Sequence, residues 1–211
     1  NEVQANGASM NPSISGDGRY VAFNSTATNL MSGDTNTRTD VFVRDRQTGA
    51  TTRVTVNSSG VEADRGGRDP AISADGRYVA FSSLATNLLN EEPYGYEHVY
   101  VHDRQSGATT LASIETTGWQ LVGTATTPDI SADGRYVTFE FDDRSDGLGF
   151  VAIYLHDRLT GVTMGISGPG GDTEDSSFGP GISNDGRLVA FASLNNRLAP
   201  GDTNEAGDIF L

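Results

Sequence analysis

Asp34, Asn36 and Asp40 stand in a D-x-N-x-x-x-D spacing within NLMSGDTNTRTD. The same spacing returns near the other end of the chain as Asp202, Asn204 and Asp208 in RLAPGDTNEAGD. Carboxylate and amide oxygens on alternate residues of a tight loop can converge on a hard cation, which is how calcium is gathered. Asp, Asn and Gly also make turns with no ion present, so the double occurrence, more than the residue types, carries the calcium reading. The charge balance agrees with it. A formal net charge of -14 draws divalent cations and repels phosphate backbones and anionic lipid headgroups, so nucleic acid is not an expected partner.

The positions equivalent to Asp34, Asn36 and Asp40 in the next stretch of similar sequence are Glu92, Tyr94 and His98, and the one after reads DDRSDGLG and is shorter. These middle copies are therefore the poorer cation sites. They offer other chemistry: Tyr94, Tyr96 and Trp119 are loop aromatics that can stack on a sugar ring, and His98, beside Glu97, is the histidine placed to coordinate or titrate. These four form the candidate ligand-binding set. A lone tryptophan in a β protein also serves as packing, and His102 and His156, at equivalent places in different copies, read as structural. There is no cysteine, which excludes disulfides and thiolate metal sites. The chain has no G-x-S-x-G elbow, phosphate-cradling loop or H-E-x-x-H motif. Carboxylate pairs such as Glu62 and Glu174 keep open the alternative of a carbohydrate-active enzyme, a lyase or hydrolase.

The elements that must position these residues are repeated. PSISGDGRYVAF from Pro12 returns as PAISADGRYVAF from Pro70, PDISADGRYVTF from Pro128 and PGISNDGRLVAF from Pro180. Each copy predicts a short strand A opened by proline, a turn at Asp-Gly-Arg, and a strand B such as Tyr20-Val21-Ala22-Phe23. A third strand, Val41-Phe42-Val43, and a fourth, Thr51 to Val56, follow across a Thr-Gly turn. Four-stranded units in tandem predict an all-β fold, a β-propeller of four repeat blades at about 12-56, 70-114, 128-167 and 180-211, the last lacking strand D. Short apolar runs such as YVAF suit sheets buried on both faces. The A–B and C–D turns share one face of such a fold. The B–C and D–A connections, which carry the length variation and every candidate ligand above, share the other.

The motif PxIS-x-DGR-Y-V-A-F followed by DVFVRD-x-x-TG resembles the TolB-type β-propeller repeat of bacterial periplasmic and secreted proteins. The resemblance covers nearly the whole chain and implies a propeller scaffold whose B–C loops often carry an acidic cluster; it names no activity. The sequence reading is a single propeller domain over 1-211, secreted, cell-surface or periplasmic. It is a calcium-binding scaffold or binding module that presents one variable loop face to a glycan or partner protein. Membrane insertion is not expected, since no apolar run approaches the length of a span. A homo-oligomer, or four blades of a larger parent chain, are the remaining structural readings.

Overall fold

The computed structural model describes residues 4–90, 95–143, 150–167, 176–199 and 206–211. All of the regular structure there is strand. Blade 1 comprises β1 (Ser9–Ile14), β2 (Tyr20–Ser25), β3 (Asp40–Asp45) and β4 (Thr51–Arg53). Blade 2 comprises β5 (Arg68–Ile72), β6 (Tyr78–Ser83), β7 (His98–Asp103) and β8 (Thr109–Leu111). Blade 3 comprises β9 (Thr124–Ile130), β10 (Tyr136–Asp143), β11 (Phe150–Asp157) and β12 (Val162–Gly165). Blade 4 has three strands, β13 (Ser177–Ile182), β14 (Val189–Ser193) and β15 (Asp208–Phe210). Every sheet is an antiparallel meander in chain order. β1 lies beside β5, β5 beside β9 and β9 beside β13, so strand A of each blade is the innermost. Among the described residues no helix is long and apolar enough to cross a membrane.

Strand A departs from the expected form. Proline does not open it; Pro12, Pro70, Pro128 and Pro180 sit inside β1, β5, β9 and β13. Strand A pairs on one side only, so the missing N–H breaks no ladder. Each proline also lies within a register shift against strand B. The residue before it takes a left-handed conformation: Asn11 at φ 52, Asp69 at φ 53, Thr127 at φ 47 and Gly179 at φ 61. Strand D is shorter than expected. β4 ends at Arg53 because Val54 makes one last bond, N–H to Val41 O at 2.9 Å, after which Val56 bridges to Glu62 on the way back toward the axis.

The core lies between blades. Ala22, Val41 and Val43 of blade 1 pack with Val79, Phe81 and Tyr100 of blade 2. Ala80, Val99 and Val101 on the other face of blade 2 pack with Val137, Phe139 and Phe141 of blade 3. Burying one such large side chain contributes roughly 1.5–3 kcal/mol, so each blade depends on its neighbours for stability. A backbone chain keeps them in register: Gly16 N donates to Ala74 O at 2.9 Å, Ala74 N to Ala132 O at 3.0 Å and Ala132 N to Asn184 O at 3.0 Å.

The repeated turn residues explain themselves at this level. Asp17 Oδ1 accepts from Ser15 Oγ at 2.7 Å and from Arg19 N at 2.9 Å, closing the A–B turn. Arg19, Arg77 and Arg135 each reach the aspartate that ends strand C, Asp45, Asp103 or Asp157, at 2.7 Å. The next arginine crosses to the preceding blade, where Arg104 lies 4.5 Å over the Tyr20 ring and Arg158 4.5 Å over Tyr78. His102 and His156, buried, bond Thr109 and Thr163 through Nδ1 at 2.9 Å each.

Candidate functional site

On the variable-loop face of blade 1, the β2–β3 loop brings Asp34 and Asp40 against Glu62 of the connection leading to blade 2. One oxygen from each carboxylate lies within 4.8 Å of the other two, close enough to hold a metal ion. The loop is shaped from within. Asn36 Oδ1 accepts from Arg38 N at 2.7 Å, and Asn36 Nδ2 donates to Asp40 Oδ2 and to Ala63 O, both at 2.9 Å. Thr37, between them, is held at φ 56, a conformation that a β-branched residue adopts only when its surroundings impose it. Glu62 is fastened to the same loop by Thr35, whose N–H donates at 3.1 Å and whose hydroxyl donates at 2.6 Å.

A cation of the chain's own already sits beside the three carboxylates. Arg53, at the end of β4, donates through Nη1 to Glu62 in a short contact and lies 3.7 Å from Asp34 and 3.8 Å from Asp40. Its Nη2 donates to Gly33 O at 3.0 Å. Three carboxylates and one guanidinium leave two negative charges in a confined space. Burial, only partly opposed by Arg53, pushes Asp34 above the usual carboxylate range. Burial raises Asp40 as well, against the hydrogen bonds from Thr55 and Asn36. Glu62 goes the other way: burial would raise it, but the Thr35 donors and Arg53 outweigh burial and hold it low. A depressed Glu62 is unsuited to donate a proton as a general acid, and Glu174, its suggested partner, lies outside the described residues. The Asp34 side chain is 2% exposed, and its Oδ1 accepts no hydrogen bond.

Of the other residues singled out by sequence, Asp202, Asn204 and Tyr94 lie outside the described residues. Asp208 opens β15 opposite Ser193, as Asp40 opens β3 opposite Ser25, so the two aspartates are equivalent. His98 is not in the loop. It opens β7, is fully buried, and its Nδ1 bonds Ser113 Oγ at 3.0 Å; burial lowers its pKa to about 4. Trp119 is 67% exposed at the tip of the connection between blades 2 and 3, and Tyr96 is half-buried.

Sequence reasoning did not find Arg53, and it met Glu62 only as a carboxylate of the alternative enzyme. The signal was there in the repeat. Arg53 pairs with Phe42 where the next copies pair Leu111 with Tyr100 and Gly165 with Tyr154. Glu62 bridges to Val56 where the next copy bridges Gln120 to Ile114. A charged residue at a strand D place that is uncharged in the next two copies marks blade 1 as special.

The antiparallel blades, the axial strand A and the loop face together define a β-propeller fold. No family profile matches the chain, and no curated protein matches it by sequence. Solved structures share the fold. TolB from Acinetobacter baumannii aligns with a TM-score of 0.58 at 18% identity, over 96% of this chain and 40% of that one. The β-propeller domain of the Trilobed protease from Pyrococcus furiosus gives 0.55 at 11% identity, over 88% of this chain and 48% of that one. An oligogalacturonate lyase in complex with manganese gives 0.54 at 14% identity, over 84% and 43%. The chain thus spans less than half the length of each of these propeller proteins.

Proposed function

We propose that the chain is an exported, non-catalytic propeller module that binds calcium at Asp34, Asp40 and Glu62 and presents its variable-loop face to a glycan or partner protein. One observation carries the metal reading: three carboxylates converge within 4.8 Å of one another, and one of them keeps a buried oxygen with nothing to accept from. Desolvated carboxylates carrying two excess charges are costly unless a cation joins them. A divalent ion balances that charge, and oxygen-only donors are those of a hard cation. The equivalent aspartate in blade 4, Asp208, with Asp202 and Asn204, is the second proposed site. An extracytoplasmic location follows the TolB-type resemblance. The module reading, in which calcium orders the loops that carry the ligand face, is favoured because Glu62 is tied up by Arg53 and Thr35.

Thermal unfolding with calcium and then with excess chelator tests this. Saturating a site at about a hundred times its dissociation constant adds about 2.7 kcal/mol, or roughly 5–11 °C in Tm for a chain of this size. Asp34→Asn and Glu62→Gln should each remove most of the shift. An unchanged Tm in both conditions would mean that Arg53 alone serves as the counter-ion and that the cluster is purely structural.

A further inference from the structure

We propose that the cleft between blades 1 and 2, on the variable-loop face, binds a small organic carboxylate. The cleft encloses about 420 Å3, within the range of small-ligand sites. Arg38 from the β2–β3 loop and Arg65 and Arg68 from the start of blade 2 all line it. The chain holds twice as many acidic as basic residues, so three arginines around one cleft run against its charge.

These arginines are not part of the repeat. At the corresponding places of the next copy stand Tyr96, Gly123 and Thr126, whereas the arginines that hold the fold together, such as Arg19, Arg77 and Arg135, recur from blade to blade. Arg68 is engaged, donating through Nε and Nη2 to Glu97 at 2.8 and 2.6 Å and lying 3.3 Å from Asp69. Arg38 and Arg65 have no side-chain partner among the described residues and face solvent at the rim. Asn24, 3% exposed, lines the same cleft with an amide oxygen that accepts nothing.

The ligand class follows from the charge and the lining. Three arginines against Asp69 and Glu97 leave one net positive charge, which a monocarboxylate balances and a phosphate monoester, at about −1.5 to −2, exceeds. Guanidinium groups bind carboxylates through paired N–H donors. Met10 and Leu84, 52% and 43% exposed, offer apolar contact. The cleft floor is rigid: Gly67 N donates to Thr39 O at 2.8 Å, and a Cβ on Gly66 would meet Thr39 O at 2.0 Å.

Calorimetric titration of the full chain tests the assignment, with N-acetyl-L-leucine and D-glucuronate as probes, their neutral counterparts N-acetyl-L-leucinamide and D-glucose, and inorganic phosphate. Saturable millimolar or tighter binding of at least one carboxylate is expected, with its neutral counterpart weaker by about tenfold or more. The probe that binds tells an amino acid from a sugar acid as the source. Arg38→Gln with Arg65→Gln, and Arg65→Gln alone, should weaken that binding at unchanged Tm, since both side chains are solvent-facing. The proposal is overturned if neither carboxylate saturates, if the neutral partners bind equally, if phosphate binds more tightly than both, or if a natively folded double variant binds as the parent does.

Discussion

Gly134→Ala measures how strongly the blades are clamped to one another. Gly134 sits in the A–B turn of blade 3 at φ 72, and a Cβ there would lie 2.1 Å from Cδ2 and 2.7 Å from Cγ of Tyr78 in blade 2. Two arginines flank that ring. Arg77 holds one contact at 4.7 Å and Arg158 another at 4.5 Å, and Arg158 Nη1 is itself fixed by Gly134 O at 2.6 Å. The left-handed backbone alone costs an alanine roughly 1–2 kcal/mol, and forcing a packed side chain aside costs about 1–3 kcal/mol more. The sum, about 2–5 kcal/mol, lowers Tm by roughly 4–20 °C. Gly118→Ala is the control, at φ 87 with no atom within 4 Å of the added Cβ, so only the backbone cost applies. Urea unfolding of both variants, and of Gly134→Ala combined with Tyr78→Ala, separates the contributions. The double variant should show a coupling of about 1 kcal/mol or more. Equal losses for Gly134→Ala and Gly118→Ala, with no coupling to Tyr78, would refute the clamp.

Three further outcomes follow from the same geometry. His98 has a folded pKa of about 4 against an ordinary 6.5, so the fold disfavours its charged form. Its contribution is present in full above pH 6.5 and is lost as pH falls toward 4, about 3 kcal/mol in all; the pH profile of unfolding should flatten over that window in His98→Gln. Asp45, Asp103 and Asp157 are held far below the ordinary 3.8 by their arginine partners. The stability they provide is present above that value and is lost below it, so acid unfolding should steepen under pH 4 at low salt and less so in Asp103→Asn. Tyr100 is fully buried with a hydroxyl that meets no partner, while blade 1 has Phe42 at the same place. Tyr100→Phe should therefore raise stability by about 1–2 kcal/mol in urea; a loss would show that the hydroxyl is satisfied in solution.

Much of the fold was legible because its determinants are local. Asp17, Gly18 and Arg19 set a turn through contacts within five residues, and the same turn recurs at Asp75, Asp133 and Asp185, so the four blades can be counted along the chain. The Asp34, Asn36 and Asp40 spacing was legible for the same reason: one loop carries all three. Local reading failed where a neighbour decided. Pro12 reads as a strand start, but an inner edge strand with a bulge accommodates it within the ladder. His98 reads as a loop residue, and pairing with Ser83 draws it into a sealed strand.

The sequence by itself determined the repeat, the turns, the strand composition and the acidic loop, because each depends on residues close in the chain. Only the tertiary structure decided what surrounds that loop. It brought in Glu62 and Arg53 from beyond strand C and turned a candidate ligand set into a cluster with its own counter-ion. It alone gathered Arg38, Arg65 and Arg68 around one cleft, since that convergence depends on how one twisted sheet packs on the next, which no spacing along a strand encodes.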